Sequence, residues 1–413
     1  MSLRWRTPRL VRQGLLAMLG AQLTAVVTLM GADRIRRLLR GRKIPDLPPA
    51  DPVSHPVGDG SVATTYTYGE ILFEDMLAAI EGAQRRILLE TYIIKGDAMG
   101  RRFKQALIDA ADRGVEVYVI FDQFANLVVK RSFLKFPPPI NVLVYPIVSS
   151  WKLLSPRHIG RDHRKILVVD DRVAYVGGYN IGSTYATEWR DTHLRIEGPA
   201  VWDLDNAFVD FWNTHPRRNT PMIEQNPSTG WRPHIRAHRN VPRQLMFPIR
   251  GMYLEAIDRA HKSIDITAAY FIPDRDILAA LLDAKRRGVR VRIIVPRISN
   301  HVVTDWLSRG FYGRLLRAGV EIYRYNDHMV HAKTATIDGE WTTIGTANID
   351  RLSLLGNYEI NLEILDQGLA AGMEQVFADD CVKCERLSLE DWMRRPFVAR
   401  VYEALLKPLA LLL

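Results

Sequence analysis

Short apolar, β-branched runs alternate along this chain with amphipathic stretches, and the same order of them occurs twice. Residues 106–117 (Ala-Leu-Ile-Asp-Ala-Ala-Asp-Arg-Gly-Val-Glu-Val) are mirrored by residues 280–291 (Ala-Leu-Leu-Asp-Ala-Lys-Arg-Arg-Gly-Val-Arg-Val), at an offset of 174. Each is an amphipathic helix that Gly114 or Gly288 ends, feeding a strand at 115–121 or 289–295. Another apolar strand lies upstream of each, at 86–94 and 264–272, so each half reads β-α-β. Later in each half comes a hairpin. Residues 166–169 form an apolar run, Asp170-Asp171-Arg172 a turn, 174–176 a second run, and Gly177-Gly178 break it. Residues 334–337, Asp338-Gly339 and 341–344 repeat that design. The pattern predicts an α/β fold, with layers around a mixed sheet in each half.

Outside the repeat, residues 15–32 form an almost uninterrupted apolar run, broken only by Gln22, threonines and small residues. Arg4, Arg6, Arg9 and Arg12 precede it; Arg34, Arg36, Arg37, Arg40, Arg42 and Lys43 follow. A span needs about 20 apolar residues, so the run is marginal for crossing a bilayer and ample for lying in one. No small-x-small cleavage site marks it as a signal peptide. A buried core helix would not carry so many flanking cations. The larger cluster follows the run, so the positive-inside rule places the later domains on the cytoplasmic side of a cell membrane.

The resulting division is a membrane-associated segment over 1–45, a first domain over 60–215, a linker over 216–243 and a second domain over 244–395. Pro216, Pro221, Pro227, Pro233 and Pro242, with no sustained apolar periodicity, suggest the linker. Residues 396–413 read as a C-terminal amphipathic helix with a bare apolar tail, packed on the domains or dipping into lipid. A composition of 47% apolar and 25% charged residues is that of a globular protein, and 413 residues fit two domains. The net charge of +10 suits an anionic bilayer or a nucleic acid. Cys381 and Cys384 form one Cys-x-x-Cys without a second pair, which reads as two helix positions three apart.

The chemistry lies in a motif, His-x-Lys-x4-Asp-x6-Gly-[Gly/Thr]-x-Asn, that occurs at both hairpins. The first copy is His163, Lys165, Asp170, Gly177, Gly178 and Asn180; the second is His331, Lys333, Asp338, Gly345, Thr346 and Asn348. An acid stands 28 positions after each histidine, Asp191 and Glu359. The strand's period of two puts each histidine and its lysine on one face. A metal site would want three or four His, Cys or carboxylate ligands and no fixed cation beside them. Imidazole, ammonium, a neutral asparagine and glycine amides suit a phosphate instead, and the acid at +28 can take the histidine's other ring proton and fix its tautomer. No metal and no cofactor is expected.

The duplicated motif resembles the phospholipase D superfamily. The resemblance implies two α/β/α domains facing across a pseudo-two-fold axis. It also implies that one histidine attacks phosphorus while the other protonates the leaving alcohol and deprotonates the incoming one. Lys165, Lys333, Asn180 and Asn348 would then hold phosphate oxygens, with Gly177, Gly178 and the Thr346 hydroxyl as further phosphate contacts. Asp170 and Asp338 complete the candidate set and read as turn-fixing. Residues 87–93, 189–199, 270–274 and 357–361 are similar to the bacterial cardiolipin synthase branch. What that implies is transfer of a phosphatidyl group between two phosphatidylglycerols with release of glycerol, on an anionic membrane surface and without nucleic acid. Hydrolytic phospholipase D activity and a nuclease of the same superfamily are the alternatives; the sequence leaves the oligomeric state open.

Overall fold

The computed structural model describes residues 9–40, 46–58, 60–147, 160–215, 220–228, 230, 234–326 and 328–411. In the first half the strands are β1 (Val53–Val57), β2 (Ser61–Tyr66), β3 (Arg86–Thr91), β4 (Glu116–Asp122) and β5 (Asn141–Tyr145). The motif hairpin follows as β6 (Ile166–Val169) and β7 (Val173–Gly177), then β8 (Trp189–Arg190) and β9 (His193–Glu197). The second half has β10 (Ile235–Asn240), β11 (Ser263–Ala268), β12 (Arg290–Pro296), β13 (Glu321–Tyr325) and β14 (Met329–Val330). Its hairpin is β15 (Lys333–Ile337) and β16 (Trp341–Gly345), followed by β17 (Glu359–Leu365) and β18 (Cys384–Leu387). The helices are α1 (Arg9–Arg40), α2 (Gly69–Glu81), α3 (Ala98–Asp112), α4 (Ser183–Thr187), α5 (Val201–Thr214) and α6 (Pro248–Arg259). They continue with α7 (Arg275–Arg286), α8 (Val302–Arg317), α9 (Arg351–Leu355), α10 (Gln367–Val382), α11 (Leu389–Met393) and α12 (Phe397–Leu406).

Two eight-stranded mixed sheets result, ordered β1-β2-β9-β7-β6-β3-β4-β5 and β10-β17-β16-β15-β11-β12-β13-β18. From β2 and from β10 onward the two orders correspond strand for strand, so the sequence repeat is a structural repeat. The parallel pairs β3–β4 and β11–β12 come from the β-α-β units, and the hairpins add antiparallel strands beside them. Asp97 and Asp274 cap α3 and α7 by accepting backbone amides of the first turn. Gly114 and Gly288, at φ +91° and +92°, release the chain into β4 and β12 in a conformation that a side chain would strain. One core layer lies between the sheets, where Ile166, Val168 and Val176 meet Ile344, Ile360 and Leu362 under α5. The outer faces are covered by α2 and α3 on one side and by α6, α7 and α8 on the other.

Three sequence expectations are corrected here. The stretch 216–243 is not wholly a linker: β10 lies in it and pairs antiparallel with β17. As an edge strand its middle positions stay half exposed, so Arg236, His238 and Arg239 mask the apolar alternation. Cys384 is not a helix position; α10 ends before it and it opens β18, with both thiols free. Burial pushes Cys381 up to about 11 and Cys384 to about 12, so neither is a reactive thiolate. The C-terminal helix is shorter than 396–413: α12 gives way to a 3-10 turn at Lys407–Leu411, and Leu406 is fully buried.

The N-terminal run forms α1, of which Leu16–Ile35 has the length and apolar character of a membrane span with only 17% of it buried. One stripe is docked: Ala25 and Leu29 pack with Leu307 and Leu406, and Gln22 Nε2 donates to the Leu405 carbonyl at 3.0 Å. Leu16, Leu19, Leu23, Val27 and Met30 remain exposed.

Candidate active site

The two halves meet through backbone hydrogen bonds that place the histidines. Ahead of β6, the His163 amide donates to the Tyr358 carbonyl at 3.0 Å. In the second half β14 pairs in parallel with β8, and the His331 amide donates to the Arg190 carbonyl at 2.7 Å. Tyr358 and Arg190 immediately precede Glu359 and Asp191. Each histidine is thus tied to the segment that carries the acid of the other half. His163 Nδ1 lies 2.9 Å from Glu359 Oε2, and His331 Nδ1 lies 2.6 Å from Asp191 Oδ2. The expected pairing of each histidine with the acid of its own copy is therefore corrected: the acids are exchanged between halves.

Hydrogen bonding of Nδ1–H to a carboxylate leaves the lone pair on Nε2. Burial, ahead of every other cause, holds His163 below the ordinary imidazole value and His331 down at about 3. The lysine of the opposite half acts in the same direction on each ring, so the two constellations form one electrostatic site. Both rings are thereby held neutral at pH 7. Asp191 is pulled the other way by burial, but Lys333 and His331 outweigh it and keep the acid below its ordinary value.

Lys165 Nζ donates to the His163 carbonyl at 2.6 Å, and Lys333 Nζ donates to the His331 carbonyl. Both lysines are buried, which lowers them to about 7 and about 8. An ammonium so poorly solvated favours an anion that enters beside it. Asn180 Oδ1 accepts from the Ile93 amide at 3.3 Å, whereas Asn348 Oδ1 is buried with no hydrogen-bond partner among the described residues.

The remaining motif positions have other uses. Asp170 and Asp338 stand in left-handed turns at φ +54° and +57°, a conformation aspartate tolerates. Asp170 accepts the backbone amides of Gln84, Arg85 and Arg86 at 2.8–2.9 Å, and Asp338 those of His261, Lys262 and Ser263 at 2.7–2.9 Å. Each locks its hairpin to the start of the neighbouring strand. Gly178 and Thr346 differ from the phosphate contacts expected of them, because their amides donate to the Thr192 and Ile360 carbonyls at 3.0 and 2.9 Å. A Cβ at Gly177 would collide with Thr192 and His193, and one at Gly178 with the Asp191 carboxylate; the glycines allow that close approach. The Thr346 hydroxyl donates to Glu359 at 2.6 Å and so supports the acid rather than a phosphate.

Two groups of site residues escaped the sequence reading. Aromatic rings wall the histidines: Tyr92 meets His163 edge-on at 4.7 Å, Trp189 lies 4.9 Å from His331, and Tyr270 6.4 Å from it. Their only signal was membership in the stretches similar to cardiolipin synthases. Behind His163, Arg164 Nη2 holds Glu90 at 2.6 Å with Asp162 3.6 Å from its Nε, and all three are buried. Burial raises both acids, and the Glu90 charge adds to the rise at Asp162. Glu90 carried the same signal as Tyr92, its place in the stretch 87–93, and nothing in its spacing added to it.

Comparison with known proteins agrees with this architecture. The family described as cardiolipin synthase, PLD-like domain, matches residues 76–212 and 253–381, one block in each half. The major cardiolipin synthase ClsA of Bacillus subtilis is 32% identical over 350 residues, covering 82% of this chain and 72% of that protein. A cardiolipin synthase of Geobacillus kaustophilus is 33% identical over 374 residues, covering 86% of this chain and 74% of its own length. The crystal structure of phosphatidylserine synthase from Haemophilus influenzae shares the fold, with a TM-score of 0.64 over 84% of this chain and 92% of that one at 14% identity. The repeat in the sheets, the paired motifs and the two matched blocks coincide, and the chain belongs to the cardiolipin synthase family of phospholipase D-like proteins.

Proposed function

We propose that this protein is a cardiolipin synthase, a phosphatidyltransferase that joins two phosphatidylglycerols and releases glycerol. The observation that carries the reading is the exchange of acids between halves. It orients two neutral imidazoles, each with a free Nε2, around one pair of buried lysines.

In the reaction, Nε2 of one histidine attacks phosphorus and the bond to the glycerol headgroup breaks. The departing alkoxide takes a proton from Nε2 of the other histidine, which takes that proton up from solvent when the phosphodiester anion enters beside it. A covalent phosphohistidine remains. The second phosphatidylglycerol then gives its glycerol hydroxyl proton to that other histidine while its oxygen attacks phosphorus and frees the first ring. We assign His163 as nucleophile and His331 as acid and base. Lys165, Lys333, Asn180 and Asn348 hold the non-bridging oxygens, and Asp191 and Glu359 fix the tautomers. One phosphodiester replaces another, so no nucleotide is needed, and the covalent intermediate divides the displacement into two steps. The substrate lies in the membrane that α1 engages, with the catalytic halves on the cytoplasmic face.

The test is product analysis by thin-layer chromatography of labelled phosphatidylglycerol vesicles, with a DNA oligonucleotide as parallel substrate. Cardiolipin and glycerol are expected, and His163→Ala or His331→Ala should each abolish both. Phosphatidic acid as the sole lipid product would replace transfer by hydrolysis, and oligonucleotide cleavage would replace both.

A further inference from the structure

A groove of about 1030 Å3 opens in the second half between the start of α7, α8, α9 and α12. No motif residue, and neither acid that pairs with a histidine, lines it. Its floor is apolar, formed by Ile272, Leu278, Phe311, Leu355, Val401 and Ala404. Its walls are cationic. The three acids of the groove are already engaged: Asp274 and Asp276 by Arg250 at 2.5 Å each, and Glu403 by Arg309 and Arg395 at 2.9 Å each. That leaves Arg275, Arg314, Arg317, Arg351, Arg400 and Lys407, all exposed and with no carboxylate partner among the described residues.

Six uncompensated cations around an apolar floor call for a ligand with negative charge at one end and hydrocarbon at the other. A free phosphate would leave the floor wet. A nucleic acid would need a row of exposed ring faces on which successive bases stack, and of the rings lining the groove only Phe397 is exposed, while Trp392 is 3% exposed with Arg395 and Arg309 over its ring at 4.2 and 5.1 Å. The groove also borders the layer in which α1 is docked: Ile272 belongs both to its floor and to the cluster with Ala25, Leu29 and Leu406. Phe397, which lines the groove, Val398 and the apolar residues Leu16, Leu19 and Leu23 of α1 are all exposed. Charge complementarity and continuity with that apolar surface together favour an occupant drawn from a bilayer.

We propose that this groove is a second, non-catalytic site for an anionic bilayer phospholipid, with the phosphate among Arg314, Arg317 and Arg400 and the acyl chains over Phe311 and Ala404. It seats the α8–α12 face of the enzyme on acidic membrane, apart from the lipid undergoing reaction.

The experiment is photolabelling of the full-length His163→Ala chain, which leaves the lipid unconsumed, with phosphatidylglycerol carrying a photoreactive acyl chain, in vesicles. Labelled peptides from α8 and α12 are expected, competed by unlabelled phosphatidylglycerol and not by phosphatidylcholine. Arg314→Glu/Arg317→Glu/Arg400→Glu should cut that labelling by roughly ten-fold or more, since each surface cation contributes several-fold to anionic lipid binding. Ala404→Trp fills the floor without changing charge and should do the same if the triple variant fails to fold. Arg131→Glu/Arg236→Glu/Arg290→Glu, with the same charge change outside the groove, should retain the label. Absence of label from α8 and α12, equal competition by phosphatidylcholine or by a DNA oligonucleotide, survival of the label in Ala404→Trp, or equal loss in the control variant would each overturn the assignment. The readout is labelling rather than turnover, so its failure leaves phosphatidyl transfer standing, and loss of transfer leaves this site testable.

Discussion

Asp191 Oδ2 lies 2.6 Å from Nδ1 of His331, although 140 positions separate the two residues and they belong to opposite halves of the repeat. The His331 amide and the Arg190 carbonyl close on each other one residue away, so the side-chain contact is an extension of a backbone pairing. Glu359 and His163 repeat the relation with the halves reversed. Neither half holds a complete histidine–acid pair by itself. The candidate site is complete only where the two meet.

Exchange of the acids makes a prediction that pairing within each copy does not. Asp191→Asn should lower kcat on the order of a thousand-fold or more through loss of the His331 tautomer. NMR titration of the imidazoles should show Asp191→Asn disturbing His331 and leaving His163 in place. Perturbation of His163 alone would refute the exchange.

Burial of the two lysines makes anion binding depend on pH. Lys165 and Lys333 are lowered by burial to about 7 and about 8 in the folded enzyme, against about 10.4 in an unfolded chain. Between those values the unfolded chain binds more protons, so their contribution to stability rises with pH across that window. Below pH 7 both ammonium groups are charged in the fold, and the full cost of burying them is present. An anion relieves that cost, so sulfate should raise Tm more at pH 6 than at pH 9.5. Lys165→Met/Lys333→Met should abolish the difference in a thermal scan; equal sulfate shifts at both pH values in the wild-type enzyme would contradict it.

Asp170 and Asp338 serve the hairpins rather than the chemistry. Each accepts three backbone amides, and hydrogen bonds to a charged group are worth about 1.5–3 kcal/mol. Asp170→Ala should therefore lower unfolding free energy by about 2–4 kcal/mol, the several bonds being less than additive. The kcat of the folded fraction should stay within a few-fold of normal. Denaturant unfolding beside active-site titration separates the two; a folded but inactive Asp170→Ala would give this aspartate a role in the reaction.

Gly178 and Thr346 occupy matching motif positions but should not be interchangeable. A Cβ at Gly178 meets the Asp191 carboxylate, so Gly178→Ala should displace that acid and remove nearly all activity. Thr346→Ala deletes the 2.6 Å bond to Glu359 and the bond that the hydroxyl accepts from the Ile360 amide at 2.9 Å, and should lower kcat by roughly ten- to a hundred-fold, chiefly through loss of the charge-assisted bond. Steady-state kinetics on the two variants decides, and normal kcat in Gly178→Ala would remove the steric argument.

The N-terminal segment is expected to hold the enzyme at its substrate. Deleting residues 1–45 should weaken binding to phosphatidylglycerol vesicles while turnover of detergent-dispersed lipid stays within a few-fold. The contacts of Ala25, Leu29 and Gln22 with α8 and α12 set the stability penalty of that deletion. A truncated chain that is folded by circular dichroism yet inactive in micelles would make α1 part of the catalytic unit.

Much of this protein is determined by local sequence. Gly114 and Gly288 end matching helices because only glycine relaxes at their φ angles. The runs at 166–169 and 334–337, rich in β-branched residues and bounded by turns, become strands because that composition leaves little alternative. His163, Lys165, His331 and Lys333 are candidates from a spacing that occurs twice, although His163, Lys165 and His331 stand just before the strands of their hairpins. What tertiary structure decided is everything that depends on the other half. Which acid serves which histidine, the burial that lowers the lysines and rings, and the conversion of Gly178 and Thr346 from phosphate contacts into spacers and props all arise at the interface between the sheets. β10 and Glu90 were hidden for the same reason, an edge strand's polarity and a buried acid's partner being set by neighbours far along the chain. Local patterns record what a residue does to its own backbone; desolvation and cross-half hydrogen bonds act through space, and only the assembled pair of sheets brings them into being.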